Sequence, residues 1–324
     1  MNNAERKVFW DTLCSIHDNQ LERIQSLLAK VKTPGYLCRF RAVSEETLDQ
    51  LQENKMYYSS ADYYDDPFDT FIHVDFACIR KWYSLLSEGV KSDSPVILDI
   101  LKKLEPVIGI GADQFLTNLR NNPLDLSNFP ERIKEIRTII QENLFSICFC
   151  SNALNETLWL KYANNYRGFA LVYDVKDEST FLFDNETMIE KPFIYPVYYT
   201  DNAYDATKYA LACLLWTERE KLPPQIIELS HKKMMWEAER ISLIKKKCHE
   251  YDNEWRMIRP TMAPVRTYIK MKPCKVILGL RMPEYERLLV ISAAKVAGID
   301  SIEELYIDDY DHLSTRELKC ELPE

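Results

Sequence analysis

The chain has 324 residues, 46% of them hydrophobic and 28% charged, proportions that exclude a disordered, collagen-like or disulfide-scaffold protein. Its 41 Lys and Arg against 50 Asp and Glu give a formal net charge of −9, which argues against general nucleic-acid binding. Only 7 glycines occur, and the lone GxG at Gly109 and Gly111 lacks the third glycine of a dinucleotide fingerprint, so Rossmann and P-loop readings fail.

In chain order, residues 4–31 carry Val8, Leu13, Ile16, Leu21, Ile24, Leu27 and Leu28 at mostly three- and four-residue steps, the pattern of one amphipathic helix. Residues 36–41 read as a strand, followed by a helix that Ser44 caps and whose acidic first turn, Glu45 and Glu46, suits the helix dipole. A second strand is expected over 55–60, then an Asp- and Tyr-rich turn over 61–69. From 71 to 143 the pattern is helical and reads as an insertion. The stretch 144–150 is almost wholly apolar and predicts a central strand, as does 168–175, with a short helix over 157–165 between them. A strand over 194–199 precedes two helical stretches, 203–220 and 223–247. Strands are expected again at 254–259, 275–278 and 305–308, with a helix over 283–297.

No repeat or low-complexity linker divides the chain, so the predicted fold class is α+β, a mixed sheet surrounded by helices. The expected organisation is an N-terminal helix (1–32), an α+β domain (33–310) holding the helical insertion 71–143, and a C-terminal tail (311–324). The 9 cysteines form no CxxC, which suggests reduced thiols. The start lacks a signal peptide's build and no apolar run approaches the roughly 20 residues of a membrane span. A cytoplasmic location with no membrane association is therefore expected.

Four segments hold more polar and aromatic residues than a plain core needs. Arg39 and Arg41 lie two apart on the first strand and so share a face, where paired guanidiniums suit a phosphate or carboxylate. The plain alternative is that both face solvent or pair with nearby acids. In the second segment, Tyr58, Ser59, Asp66 and Phe68 are candidate binding residues. Asp65, Asp66 and Asp69 there suggest a divalent cation, but an Asp-rich turn whose carboxylates cap backbone amides accounts for them better, and no metal is expected. The third combines Trp159, Tyr162, Arg167 and Gly168, a set suited to a flat heteroaromatic ligand bearing a phosphate, or to a helix packing its aromatic side on a sheet with Gly168 turning the chain. The fourth sets Glu254 and Arg256 on one face of a strand. A carboxylate there is costly to bury unless paired, and a partly buried one suits a ribose hydroxyl or a positive sugar-like transition state. The five histidines show no metal-ligand spacing.

Taken in order, YLCRFR, LQENKMYYSSADYYDDPFDT, FSICFCSNALNETLWLKYANNYRGFALVYD, EYDNEWRMI and VILG resemble the bacterial domain of unknown function family 2971. The family's Phe-Asn-Asp-Pro-Phe turn begins here with Tyr64 and Asp65, and Lys161 stands where the family often has His. The layout is also similar to that of ADP-ribosyltransferases, which set an Arg or His on a first strand, Ser or Tyr on a later one and a Glu late in the chain. Arg39 or Arg41, Tyr58 or Ser59, and Glu254 follow that order. This resemblance implies NAD as substrate, Arg as anion anchor and Glu254 as catalytic carboxylate. The alternatives are a nonenzymatic sensor or interaction module, in stress or phage defence, with a protein partner, and a metal-dependent nuclease. Under the first reading the ligand is a small nucleotide-like molecule.

Overall fold

The computed structural model describes residues 1–16, 21–64, 66, 68–91, 95–108, 110–122, 129–183, 191–260 and 267–318. At the N-terminus two helices stand where one was expected, α1 (Asn3–Ser15) and α2 (Leu21–Lys30). A capping box starts α1, the Asn2 side chain accepting from the Glu5 amide and Glu5 from the Asn2 amide, both at 2.9 Å. Extended backbone at Ile16 ends it.

Strand β1 (Tyr36–Arg41) and helix α3 (Glu45–Gln52) follow as the sequence predicts, with Ser44 as the cap. The expected strand over 55–60 is two short strands in separate sheets, β2 (Lys55–Tyr57) and β3 (Ser59–Ser60). Between them the Tyr58 amide bonds the Thr267 carbonyl at 2.9 Å. A 3₁₀ turn (Ala61–Tyr63) leads towards β4 (Ile72–His73). Helices α4 (Phe76–Lys91), α5 (Pro95–Ile108), α6 (Ala112–Asn121) and α7 (Phe129–Glu142) fill the helical stretch.

Next come β5 (Leu144–Cys150), α8 (Glu156–Tyr162), β6 (Phe169–Asp174), β7 (Tyr195–Pro196), β8 (Tyr198–Thr200) and β9 (Tyr204–Asp205). Helices α9 (Thr207–Thr217) and α10 (Pro224–Ile241) are shorter than their patterns suggest, because β10 (Ile244–Lys246) occupies the end of the second. The chain closes with β11 (Glu254–Pro260), β12 (Tyr268–Lys270), β13 (Lys275–Leu278), α11 (Glu284–Val296), β14 (Ile302–Ile307) and β15 (Leu313–Glu317). Within the segment 311–324, read as a tail, Leu313–Glu317 form an edge strand that pairs antiparallel with β14, and residues 319–324 lie outside the described residues.

The fold is α+β around a mixed sheet of order β15-β14-β13-β6-β1-β5-β11-β7, with β3 also on β5. Its central strands are apolar on both faces because both are covered. Leu37, Ile147, Leu171 and Trp255 belong to one core cluster and Cys38, Cys150, Ala170 and Val172 to another. Strand β1 lies along β6 over six register positions but meets β5 at one, Cys38 opposite Cys150. The rest of that β5 edge is taken by β3, with Ser59 opposite Ser146 and Ser60 opposite Phe145. The sheet is therefore split between β1 and β5. Among the described residues no helix is long and apolar enough to cross a membrane.

Candidate functional site

A cavity of about 290 Å³ opens at this split. Cys38, Arg39, Phe40 and Arg41 all line it, which four consecutive residues do from the edge of a strand and not from one face. Opposite stand Ser146, Cys148 and Cys150 of β5, Glu254 and Arg256 of β11, and Lys245 of β10; Ser59, Tyr64, Asp66, Asp69 and Tyr162 complete much of the wall.

The acid-rich side is a closed ion network. The Arg256 guanidinium forks onto Asp69, Nη1 donating to Oδ1 at 3.0 Å and Nη2 to Oδ2 at 2.7 Å, while Nε donates to Glu254 Oε1 at 2.6 Å. Lys245 Nζ donates to Glu254 Oε2 at 3.0 Å and Asp252 Oδ2 at 2.8 Å, and lies 3.4 Å from Asp69. All five side chains are buried. Burial alone would raise the pKa of Asp69 and of Glu254, but Arg256 and Lys245 reverse that, lowering Asp69 and holding Glu254 well below the usual carboxylate range. Asp252 is the odd carboxylate among three acids and two cations. Burial leaves its pKa raised, and its Oδ1 has no hydrogen-bond partner.

Local backbone sets this geometry. Asn253, in the left-handed region at φ 46°, turns the chain between Asp252 and the start of β11. The Glu254 amide donates to Tyr199 Oη at 2.7 Å and its carbonyl accepts from Arg6 Nη1 of α1 at 2.7 Å. Tyr64 Oη bonds Ser146 Oγ, and the Tyr64 ring lies 5.1 Å from the Arg256 guanidinium.

The β1 side is the electrostatic opposite. Arg39 is 9% exposed, its guanidinium lies 5.9 Å from the Phe149 ring centroid, and its buried Nη1 has no hydrogen-bond partner among the described residues. Burial first, and then the like charge of Arg41, pull its pKa down to about 9, so it remains a cation at neutral pH. The other groups acting most strongly on it, Tyr173, Cys148 and Tyr64, include no carboxylate. Burial also lowers the pKa of Arg41, and its one acidic influence, Glu46, is the weakest of its neighbours. Two guanidiniums thus border a cavity without a forked carboxylate such as Arg256 has. An unpaired buried cation costs several kcal/mol, of the order of 3–5, unless an anion joins it.

Of the residues singled out by sequence, the cavity wall unites Arg39, Arg41, Ser59, Asp66, Tyr162, Glu254 and Arg256. Four lie elsewhere. Tyr58 is buried in the main core, and Trp159 is buried on the other face of the sheet, its indole N–H bonded to the Ala153 carbonyl at 2.8 Å and its ring stacked on Tyr166, not Tyr162. Phe68 is half-exposed beneath Lys246, whose Nζ lies 3.9 Å from its ring centroid, and Arg167 is exposed. Gly168 does not supply the left-handed turn; Asn164, Asn165 and Tyr166 do, and Gly168 is required because a Cβ there would meet the Arg41 carbonyl oxygen at 2.0 Å.

Sequence reading missed Lys245, Asp252, Cys38, Cys148 and Cys150 as cavity residues. Lys245 sat inside a helical pattern, and only a strand break after Ile241 would have revealed it. Of the three Asp residues of the turn, Asp69 is tied to Arg256 and Asp66 Oδ2 lies 3.0 Å from His249 Nε2, while Asp65 falls outside the described residues, among which no group of three or more His, Cys, Asp or Glu could hold a metal ion.

This geometry defines a class: an α+β protein whose split sheet frames a cavity between a cationic strand and a buried ion network. Residues 158–257, which hold Tyr162, Lys245, Glu254 and Arg256, match the family model described as Protein of unknown function (DUF2971). No curated protein and no solved structure matches it.

Proposed function

We propose that the cleft binds a phosphate-bearing, nucleotide-like small molecule and that the protein is an NAD-using enzyme of the ADP-ribosyltransferase kind. The observation that carries the binding step is the buried Arg39 guanidinium, cationic and unpaired, beside Arg41 on the cavity wall. A phosphate there supplies the missing counter-charge. A volume of about 290 Å³ suits the nicotinamide ribose end of a dinucleotide more than the whole of it.

The chemical step rests on Glu254. Arg256 and Lys245 keep its carboxylate ionised and fixed on the wall opposite β1. When the bond from ribose to the nicotinamide nitrogen breaks, its electron pair leaves with nicotinamide and positive charge develops on the sugar. An ionised carboxylate beside the ribose stabilises that charge, and water or an acceptor oxygen completes the transfer. Purified protein incubated with NAD should release nicotinamide, and Arg39→Leu should reduce release at least tenfold. Equal release by both proteins, or none by either, contradicts this reading.

A second reading, a nonenzymatic sensor or interaction module, is favoured by the same network. Both Glu254 oxygens are already engaged by cations, which weakens the field the carboxylate offers a developing positive charge. Under that reading the cleft binds its anion without turnover.

A further inference from the structure

Three cysteines of the cavity wall differ in a way that neither the binding step nor the glycosidic step uses. Cys38 of β1 and Cys150 of β5 are direct cross-strand partners at the apex of the split, the one register position where the two strands meet. Directly opposed residues of an antiparallel pair have Cα atoms about 4.5–5.5 Å apart, inside the range of about 4.4–6.8 Å that a disulfide spans. Both are free thiols here. Cys38 Sγ lies 3.1 Å from the Cys150 carbonyl and within hydrogen-bonding reach of the Cys150 thiol.

The Cys150 sulfur donates to the Asn152 carbonyl at 3.3 Å and has two donors beside it. It accepts from the Asn152 amide at 3.3 Å and from Asn155 Nδ2 at 3.9 Å, and Asn155 is held by its own bond to the Tyr251 carbonyl at 2.6 Å. The Cys38 thiol foremost, then these two donors, overcome burial and lower the Cys150 pKa, whereas Cys38, the donor of the pair, is raised. Cys148, two residues away, has the Ser146 hydroxyl at 3.4 Å as its partner. Burial and then Glu254 push its pKa up to about 12. One strand therefore carries a thiol that burial keeps protonated, Cys148, and a more acidic one, Cys150, that faces the Cys38 thiol across the strand pair.

We propose that Cys38 and Cys150 are an oxidation site for small hydroperoxides, Cys150 as the attacking thiolate and Cys38 as the resolving thiol. The Cys150 thiolate attacks the peroxide's distal oxygen, the O–O bond breaks, and hydroxide or alkoxide leaves with the electron pair, giving the sulfenic acid. Cys38 then attacks that sulfur, the S–O bond breaks, and the sulfenic oxygen departs as water with the Cys38 proton, leaving an inter-strand disulfide. The disulfide fixes β1 to β5 where they diverge. This assignment is independent of the ligand and of any NAD chemistry.

The test is to treat the reduced full chain with hydrogen peroxide, alkylate under denaturing conditions and map peptides by mass spectrometry. The expected product is a Cys38–Cys150 cross-link lighter than the two thiols by about 2 Da, formed before exposed Cys248 and Cys274 are oxidised. In Cys38→Ser the intermediate should persist and be trapped by dimedone at Cys150; in Cys150→Ser, Cys38 should remain reduced. Recovery of both residues as alkylated thiols after Cys248 and Cys274 have reacted overturns the proposal. So does dimedone labelling of Cys148 in place of Cys150, and the wild-type map decides the matter if either variant fails to fold.

Discussion

Asp69 and Arg256, 187 positions apart in sequence, are joined by two parallel charge-assisted hydrogen bonds in the buried floor of the cleft. The pair fastens the turn after β3 to strand β11, and Nη1 of the same guanidinium also reaches the Ser242 carbonyl at 2.7 Å, so α10 is held too. Breaking one side of such a pair leaves a buried charge uncompensated. Arg256→Leu should lower the unfolding free energy by about 3–5 kcal/mol in a urea titration. A loss under about 1 kcal/mol would show that the network is not a structural anchor.

The same network sets an acid limit. The folded-state pKa of Asp69 lies below its ordinary 3.8 and that of Glu254 below its ordinary 4.5. In the unfolded chain both bind protons more readily, so their contribution is fully present above about 4.5 and is lost as pH falls through the folded values. Thermal unfolding followed from pH 6 to pH 3 should show Tm falling steeply below about 4.5, and Arg256→Leu should flatten that fall.

Glu239 of α10 acts in the opposite direction. Burial raises its pKa to about 7, with Arg240 and the Tyr195 hydroxyl, 3.5 Å away, offsetting only part of the effect. Between its ordinary 4.5 and about 7 the folded state holds the proton that the unfolded state releases, so stability declines as pH rises through that window. Glu239→Gln should remove this slope and be more stable than the wild type at pH 8, by an amount on the order of 2 kcal/mol. Parallel pH profiles for the two proteins would contradict the assignment.

Gly168 packs against the end of β1 more closely than any side chain allows, since a Cβ would stand 2.0 Å from the Arg41 carbonyl oxygen. Gly168→Ala should destabilise the protein by about 1–3 kcal/mol. Because the displaced atoms are the backbone of Arg41, it should also weaken binding at the cleft, read as a smaller ligand-induced rise in Tm. An unchanged Tm shift would separate Arg41 from the site.

Much of the architecture was legible because the central strands write their burial into the chain. LFSICFC and FALVYD are apolar at nearly every position, and both occupy the middle of the sheet. The capping residue Ser44 likewise marked a helix start one residue before the helix begins. What failed was local pattern at points where tertiary contacts decide. Ile16 stops a helix whose periodicity continues, and Lys245 lies in a short strand because its ammonium joins Asp252 and Glu254. Arg39, Arg41, Glu254 and Arg256 stood out by residue type, but neither their meeting at one cavity nor the split between β1 and β5 could be read from the sequence. The split arises because β3, only two residues long, takes the β5 edge that β1 leaves. Trp159 lies away from the cavity for a related reason: aromatic spacing on a short helix does not reveal which side of the sheet that helix covers, and Arg167 falls in the exposed turn beyond it.

Removing the unpaired cation should separate stability from binding. Arg39→Leu replaces a buried, uncompensated charge with an apolar side chain, and should raise the unliganded unfolding free energy by about 1–3 kcal/mol. The most direct test of the account is calorimetric titration of NAD into the wild type and into this variant. Heat of binding is expected with the wild type and at least a tenfold weaker response with Arg39→Leu, although the variant is the more stable fold. Equal binding by the two proteins, or no binding by the wild type, would contradict the claim that the unpaired guanidinium of β1 is an anchor for a phosphate-bearing ligand.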